Sequence, residues 1–161
     1  MVNIPQPTSL IALASLGFLT IPFTFRFSTA ITWFSNSQII CIDGSRFSDP
    51  SNPALQIYTA LKKAGCPASP DGKTRTIAEL QAYCEDDLSE EKIALIFYEA
   101  PTDPPPQGFD MAVLNQLARF SHPPIAVVVG DRLPECRLPQ FLESDPDLIA
   151  NILQWLHNLE R

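Results

Sequence analysis

The chain has 161 residues, a formal net charge of −7 at pH 7 and 45% hydrophobic residues. This length supports a single domain, and the apolar content excludes the disordered and fibrous classes of protein. Binding to a nucleic-acid backbone requires clustered cationic side chains, which an acidic chain lacks. We therefore expect one globular domain with no nucleic-acid partner.

The first 42 residues differ in composition from the rest of the chain. Arg26 is their only charged residue, and residues 9–25 form a mostly apolar run with no charge. A helix of about 17 residues spans about 26 Å, close to the roughly 30 Å hydrocarbon core of a bilayer. We therefore divide the chain into residues 1–36, a candidate membrane anchor through residues 9–25, and residues 37–161. Arg26 after the run favours a cytoplasmic location for the domain that follows.

Two other interpretations of the N-terminal run stay open. Residues 28–30 (Ser-Thr-Ala) offer a small-residue cleavage site for a signal peptide, although no Lys or Arg precedes the run. Residues 21–33 are rich in Phe, Thr and Ile and are equally compatible with strands of a soluble, cytoplasmic protein. The sequence leaves a membrane span, a signal peptide and a part of the fold as alternatives.

Three short apolar runs predict buried strands of a parallel sheet. They are Gln38–Asp43, residues 92–98 and Ile125–Val129. Helical segments separate them, which predicts right-handed crossovers with helices on both faces of the sheet. A further strand is expected within residues 21–35, 66–76 or 137–141.

Capping residues and apolar residues at helical spacing predict four helices. Asn52 starts the first, which ends at Gly65. A capping box at Thr76 starts the second, Asp110 caps the third, and residues 145–147 begin the last. The predicted fold class is therefore α/β: a small three-layer, flavodoxin-like domain with a parallel sheet, plus the apolar N-terminal segment.

An acidic residue follows each of the three predicted strands. These residues are Asp43, Glu99 and Asp131. The carboxyl ends of parallel strands meet at one edge of a sheet, where open α/β sheets bind ligands. Because oxygen ligands suit Mg²⁺ or Ca²⁺, the three are candidate metal ligands and candidate catalytic residues. Alternatively, acidic residues at strand ends make local hydrogen bonds, and Arg46 and Arg132 pair with these carboxylates.

Other site patterns are absent from the sequence. There is no P-loop, no dinucleotide fingerprint and no nucleophile elbow. The four cysteines are Cys41, Cys66, Cys84 and Cys136, and none has the C-x-x-C spacing of a zinc site. We therefore expect free thiols and no cofactor, apart from the Mg²⁺ of the enzyme alternative.

The segment from residue 38 to residue 131 resembles a receiver-like domain of the response-regulator type. QIICID looks like its first strand, KIALIFYEAP like its third and PPIAVVVGDR like its fourth. The segment departs from that family at its signature positions. Gly44 follows Asp43 where a receiver has a second acid, and Glu99 stands where the phosphoacceptor aspartate ends the third strand. The resemblance therefore implies a pseudo-receiver that binds partners without being phosphorylated.

These observations favour a non-catalytic regulatory or assembly module, tethered to a membrane, that binds a protein partner. Its acidic loops suit a basic partner surface. One alternative is a Mg²⁺-dependent enzyme that uses Asp43, Glu99 and Asp131. Another is a nucleotide-binding or nucleoside deoxyribosyltransferase-like protein. The order of strand, helix and strand that ends at Asp131-Arg132 resembles that of the deoxyribosyltransferase-like proteins. The glutamate that they have on the intervening helix is missing here.

Overall fold

The computed structural model describes residues 31–32, 37–70, 72, 74–103 and 109–159. Within these residues five strands form one sheet. They are β1 (Ile31–Thr32), β2 (Gln38–Asp43), β3 (Ile93–Tyr98), β4 (Ile125–Val129) and β5 (Gln140–Leu142). The same residues contain four α-helices: α1 (Ala54–Lys63), α2 (Ile77–Ala82), α3 (Met111–Leu117) and α4 (Leu148–Leu159). A 3₁₀ turn at Gly44–Arg46 and a π-helical turn at Tyr83–Asp87 complete the described elements.

The strands lie in the sheet in the order in which they occur in the chain, from β1 to β5. Strands β2 to β5 are parallel to one another, and β1 pairs with β2 in the antiparallel direction. A receiver has the strand order 2-1-3-4-5. The present order fits that arrangement if β2, β3, β4 and β5 take the places of strands 1, 3, 4 and 5, and β1 takes the outer position.

The helices divide unequally between the two faces of the sheet. Helices α1, α2 and α3 pack on one face, over side chains that include Ile40, Leu95 and Val127. Helix α4 packs on the other face, over Ile39, Ile96 and Val128, among others. The predicted three-layer architecture with helices on both faces is therefore confirmed.

Strand β3 lies at the centre of both cores. Alternate side chains point to opposite faces of a strand, so Leu95 and Phe97 enter the larger core while Ala94 and Ile96 face α4. None of these four is more than 1% exposed. Burying one large apolar side chain contributes about 1.5–3 kcal/mol, which explains why this run has no polar residue before Tyr98.

The structure confirms most of the predicted elements, but α1 begins without the predicted cap. Strand β5 falls at the expected place near residues 137–141, whereas no strand forms in the described part of 66–76. Asn52 does not cap α1, because its side-chain amide donates instead to the carbonyl of Arg75, 2.9 Å away. This bond links the start of α1 to the start of α2.

The candidate membrane span, residues 9–25, lies outside the described residues. The helices of the described ranges are all too short or too polar to cross a membrane. The domain boundary at residue 36 stays a prediction, although β1, which precedes it, pairs with β2 through Ile31 and Thr32.

The capping box of α2 is formed as the sequence predicts. Thr76 Oγ1 accepts from the Glu79 amide at 3.2 Å, and Glu79 Oε2 accepts from the Thr76 amide at 3.1 Å. We expect Thr76→Ala to lower the free energy of unfolding by about 1 kcal/mol, measured by urea denaturation. Thr59→Ala, at an exposed position inside α1, should change it by only a few tenths of a kcal/mol. Equal losses in the two variants would show that the capping box does not stabilise α2.

Candidate functional site

The carboxyl ends of β2, β3 and β4 place the three predicted site residues along one edge of the sheet. Asp43 is the last residue of β2, Glu99 follows β3 directly, and Asp131 follows β4 after Gly130. We describe each in turn, because their partners decide what this edge can do chemically.

Asp43 is occupied by hydrogen bonds to its surroundings. Its Oδ1 accepts from the Ser45 amide at 3.0 Å and from Ser45 Oγ at 2.6 Å, which caps the 3₁₀ turn. The same oxygen accepts from the Ala100 amide at 3.1 Å. The carboxylate therefore ties the loop after β2 to the loop after β3, across the place where a ligand would enter.

The second oxygen of Asp43 pairs with an arginine. Arg46 Nε lies 3.1 Å from Asp43 Oδ2, and the side chain of Arg46 is 85% exposed while that of Asp43 is 11% exposed. An ion pair with so exposed a partner contributes at most about 1 kcal/mol. Pairing with Arg46 was the alternative that the sequence left open for this residue, and the structure adopts it.

Glu99 is half-buried next to Asp43. Burial raises the pKa of the Glu99 carboxyl, and the negative charge of Asp43 raises it further. The shift follows from removing a carboxylate from water and placing it near a like charge.

Asp131 does not join this pair. It is exposed beyond the end of β4, as is the neighbouring Arg132. In the part of the chain that the structure describes, no group of three or more Asp, Glu, His or Cys side chains is arranged to hold a metal ion. The structure therefore brings Asp43 and Glu99 together without the third predicted ligand, and the Mg²⁺ site stays a prediction.

Three phenylalanine rings form a cluster that joins β3 to the loops after β2 and β3. Phe97 of β3 packs edge to face against Phe47 and against Phe109, each with ring centroids 6.4 Å apart. Gly44 lies directly under the Phe109 ring, where a Cβ atom would collide with it. Sequence reasoning missed this aromatic cluster. Its signal was two large apolar residues, Phe47 and Phe109, inside otherwise polar loops.

Burial raises the pKa of three of the four cysteine thiols. All four are free. Burial raises the pKa of Cys41 to about 11 and that of Cys84 to about 12, and it also raises the pKa of Cys66. Because the thiolate is the nucleophile and the metal ligand, these protonated thiols act as small buried side chains.

A polar cavity of about 310 Å³ lies away from the strand ends, between α2 and the loop before it. Its walls include Ser69, Glu79, Asp86 and Asp87. Glu79 is already used by the capping box, and Thr74, which also lines the cavity, has a buried hydroxyl oxygen with no hydrogen-bond partner in the described part of the chain.

Comparison with known proteins identifies the family. A family model described as NACHT C-terminal Alpha/Beta 1 matches residues 25–159, which is most of the chain. The chain belongs to this family. The family's description agrees with the α/β class of the structure, whereas the resemblance to receiver domains is not confirmed. No curated protein and no solved structure matches the chain.

The contact between Gly44 and Phe109 allows a test of the packing at the carboxyl edge of the sheet. We expect Gly44→Ala to lower the free energy of unfolding by about 1–3 kcal/mol, because a methyl group there displaces the Phe109 ring from its packing against Phe97. Gly130→Ala is the matched control, since a Cβ atom at Gly130 meets no atom within 4 Å. Chemical denaturation of both variants measures the difference. Equal stabilities would mean that the ring does not pack on Gly44.

The raised pKa of Glu99 predicts a pH dependence of stability. A carboxyl group whose pKa is higher in the folded than in the unfolded state destabilises the fold once it ionises. Glu99→Gln should therefore raise the melting temperature at pH 7. This gain should shrink as the pH falls through the raised pKa, and it should disappear below the unfolded value of about 4.3. Glu143→Gln, at an exposed position, should give no such gain, and a gain that is independent of pH would contradict the assignment.

Proposed function

We propose that this chain is a non-catalytic regulatory or assembly module of a NACHT protein, and that it binds a protein partner. The family description names a C-terminal α/β unit associated with NACHT, which supports a role beside a larger protein. The proposal is one of binding and not of catalysis, because the loops at the carboxyl edge of the sheet are joined to each other.

The closed carboxyl edge of the sheet is the observation that carries this proposal. Enzymes of the open α/β class bind their ligands at this edge, in a crevice between loops that diverge. Here Asp43 joins the two loops through the Ala100 amide, and Phe47 and Phe109, from the loops after β2 and β3, pack on the buried Phe97 ring. A substrate would have to displace a hydrogen-bonded carboxylate and an aromatic cluster together.

The acidic surface indicates what kind of partner would be attracted. Exposed carboxylates concentrate around the π-helical turn and before β3, at Asp86, Asp87, Glu90 and Glu91. Such a field accelerates the encounter with a basic surface and makes its rate depend on salt. We therefore propose a basic surface on the partner, with recognition that weakens as the ionic strength rises.

One observation favours the rival hypothesis of a Mg²⁺-dependent enzyme. Perturbed pKa values cluster at functional sites, and Glu99 has a raised pKa beside a second carboxylate. A bound cation would remove the repulsion between Glu99 and Asp43. This rival requires Asp43 to give up at least part of its present hydrogen bonding.

A Mg²⁺ titration of the full chain distinguishes the two functions. A cation that binds only the folded state raises its stability by about 2.7 kcal/mol at about 100 times Kd. We expect millimolar Mg²⁺ to leave the melting temperature of the full chain unchanged. We expect the same result for the Asp43→Asn variant and for the exposed control variant Asp147→Asn. A Mg²⁺-dependent increase that Asp43→Asn abolishes and Asp147→Asn keeps would overturn the non-catalytic proposal.

Binding is tested with a separately purified NACHT domain as the candidate partner. We expect saturable binding by calorimetry and an association rate that falls with added salt. Neutralising Glu90 and Glu91 together to glutamine should slow association, whereas neutralising Glu143 and Asp147, which are exposed in the connection between β5 and α4, should not. Absence of binding at low salt would contradict the proposal.

A further inference from the structure

Helix α4 differs from the rest of this acidic protein because it carries no Asp, Glu, Lys or Arg. Its inner side packs on the sheet through Leu148, Ile152 and Leu156. Two further apolar side chains, Ile149 and Leu153, are 43% and 46% exposed. A surface helix normally presents charged residues to water, so this apolar flank lacks the composition of a solvated surface.

The direction of the flank follows from the helical repeat and one ring contact. At 100° per residue, Trp155 and Ile149 lie on opposite sides of the stripe formed by Leu148, Ile152 and Leu156. Trp155 packs edge to face on Phe141 of β5, with centroids 5.9 Å apart. Ile149 and Leu153 therefore point away from β5, towards the side of the sheet where β1, β2 and β3 lie.

The same side of the sheet has half-buried residues at the ends of two strands. Cys41 of β2 and Tyr98 of β3 point to the face that α4 covers, and both are only partly buried. Helix α4 alone covers this face in the described part of the chain, whereas three helices cover the opposite face. The flank of Ile149 and Leu153, together with Cys41 and Tyr98, is named the α4 flank patch below.

The register of β1 directs the preceding chain towards this patch. Ile31 lies opposite Ile39, and Thr32 lies opposite Gln38, in antiparallel pairing. The first residue of β1, Ile31, is therefore the end of this strand that lies nearer to Cys41. The connection from residue 25 to Ile31 reaches at most about 20 Å, whereas β1 and β3 are about 10 Å apart, so residue 25 is within reach of the patch.

The composition of that preceding chain matches the patch. Residues 9–25 contain no charged side chain and are mostly apolar. We propose that residues 9–25 pack on the α4 flank patch and complete the apolar cover of this face of the sheet. The inference is independent of the proposed function, because it concerns contacts within the chain and no partner.

Hydrogen exchange of the full chain, followed by mass spectrometry, tests this contact. We expect the amides of residues 9–25 to exchange at least about tenfold more slowly than in an unfolded peptide. Ile149→Asp combined with Leu153→Asp should remove this protection. Leu55→Asp is the matched control, since Leu55 is 42% exposed on α1 at the opposite face, and it should leave the protection intact. Unchanged slow exchange of the β3 peptide verifies that each variant is folded.

Three results would overturn the proposal. Rapid exchange of residues 9–25 in the unmodified chain would mean that nothing covers the patch from within the chain. Protection that develops only when phospholipid vesicles are added would assign the run to a membrane. Protection that rises with protein concentration, together with a dimer in light scattering, would assign the patch to a second copy of the chain.

Discussion

The burial of β3 on both faces is the constraint on which the rest of the structure depends. Ala94, Leu95, Ile96 and Phe97 are all almost fully buried, so two separate layers must supply their cover. Six residues of β3 pair in parallel with β2, which requires a crossover that carries α1 and α2 over one face. The crossover from β3 to β4 carries α3 over the same face. The opposite face is therefore covered by α4, which follows β5.

The strand order also explains why the carboxyl edge is closed. In an open α/β sheet, a crevice forms where successive connections leave towards opposite faces. Here the connections after β2 and β3 pack on one face, so the loops at this edge lie side by side. Asp43 joins them through Ala100, and Phe109 covers Gly44. A residue placed like a metal ligand therefore acts as a link between loops.

The sequence predicted the elements whose signals are local. Buried strands such as Ile125–Val129 have continuous apolar runs, and Thr76 and Asp110 cap their helices through hydrogen bonds within three residues. Strand β5 was placed only as one of three options, since Gln140–Leu142 is short and half-buried. The family assignment came from comparison with known proteins and not from a motif in the sequence.

The candidate site was less predictable because its contacts are distant in sequence. An aspartate at a strand end suits a metal, a turn or an ion pair equally, and only the position of the Ala100 amide distinguishes these roles for Asp43. The packing of Phe109 on Gly44 likewise joins two loops that no periodicity connects. Convergence of Asp43 and Glu99 was foreseen from strand ends, whereas the separation of Asp131 depends on Gly130 extending the chain beyond β4.

The distribution of charge gives the two faces of this sheet different roles. On the side of α1, α2 and α3, exposed carboxylates such as Asp86 and Glu90 keep the surface hydrated and attract cationic surfaces over a distance of about one Debye length. On the other side, α4 carries no charge that would resist dehydration, so apolar cover there costs little electrostatic free energy. The proposed partner contact and the proposed packing of residues 9–25 therefore use different surfaces and do not compete with each other.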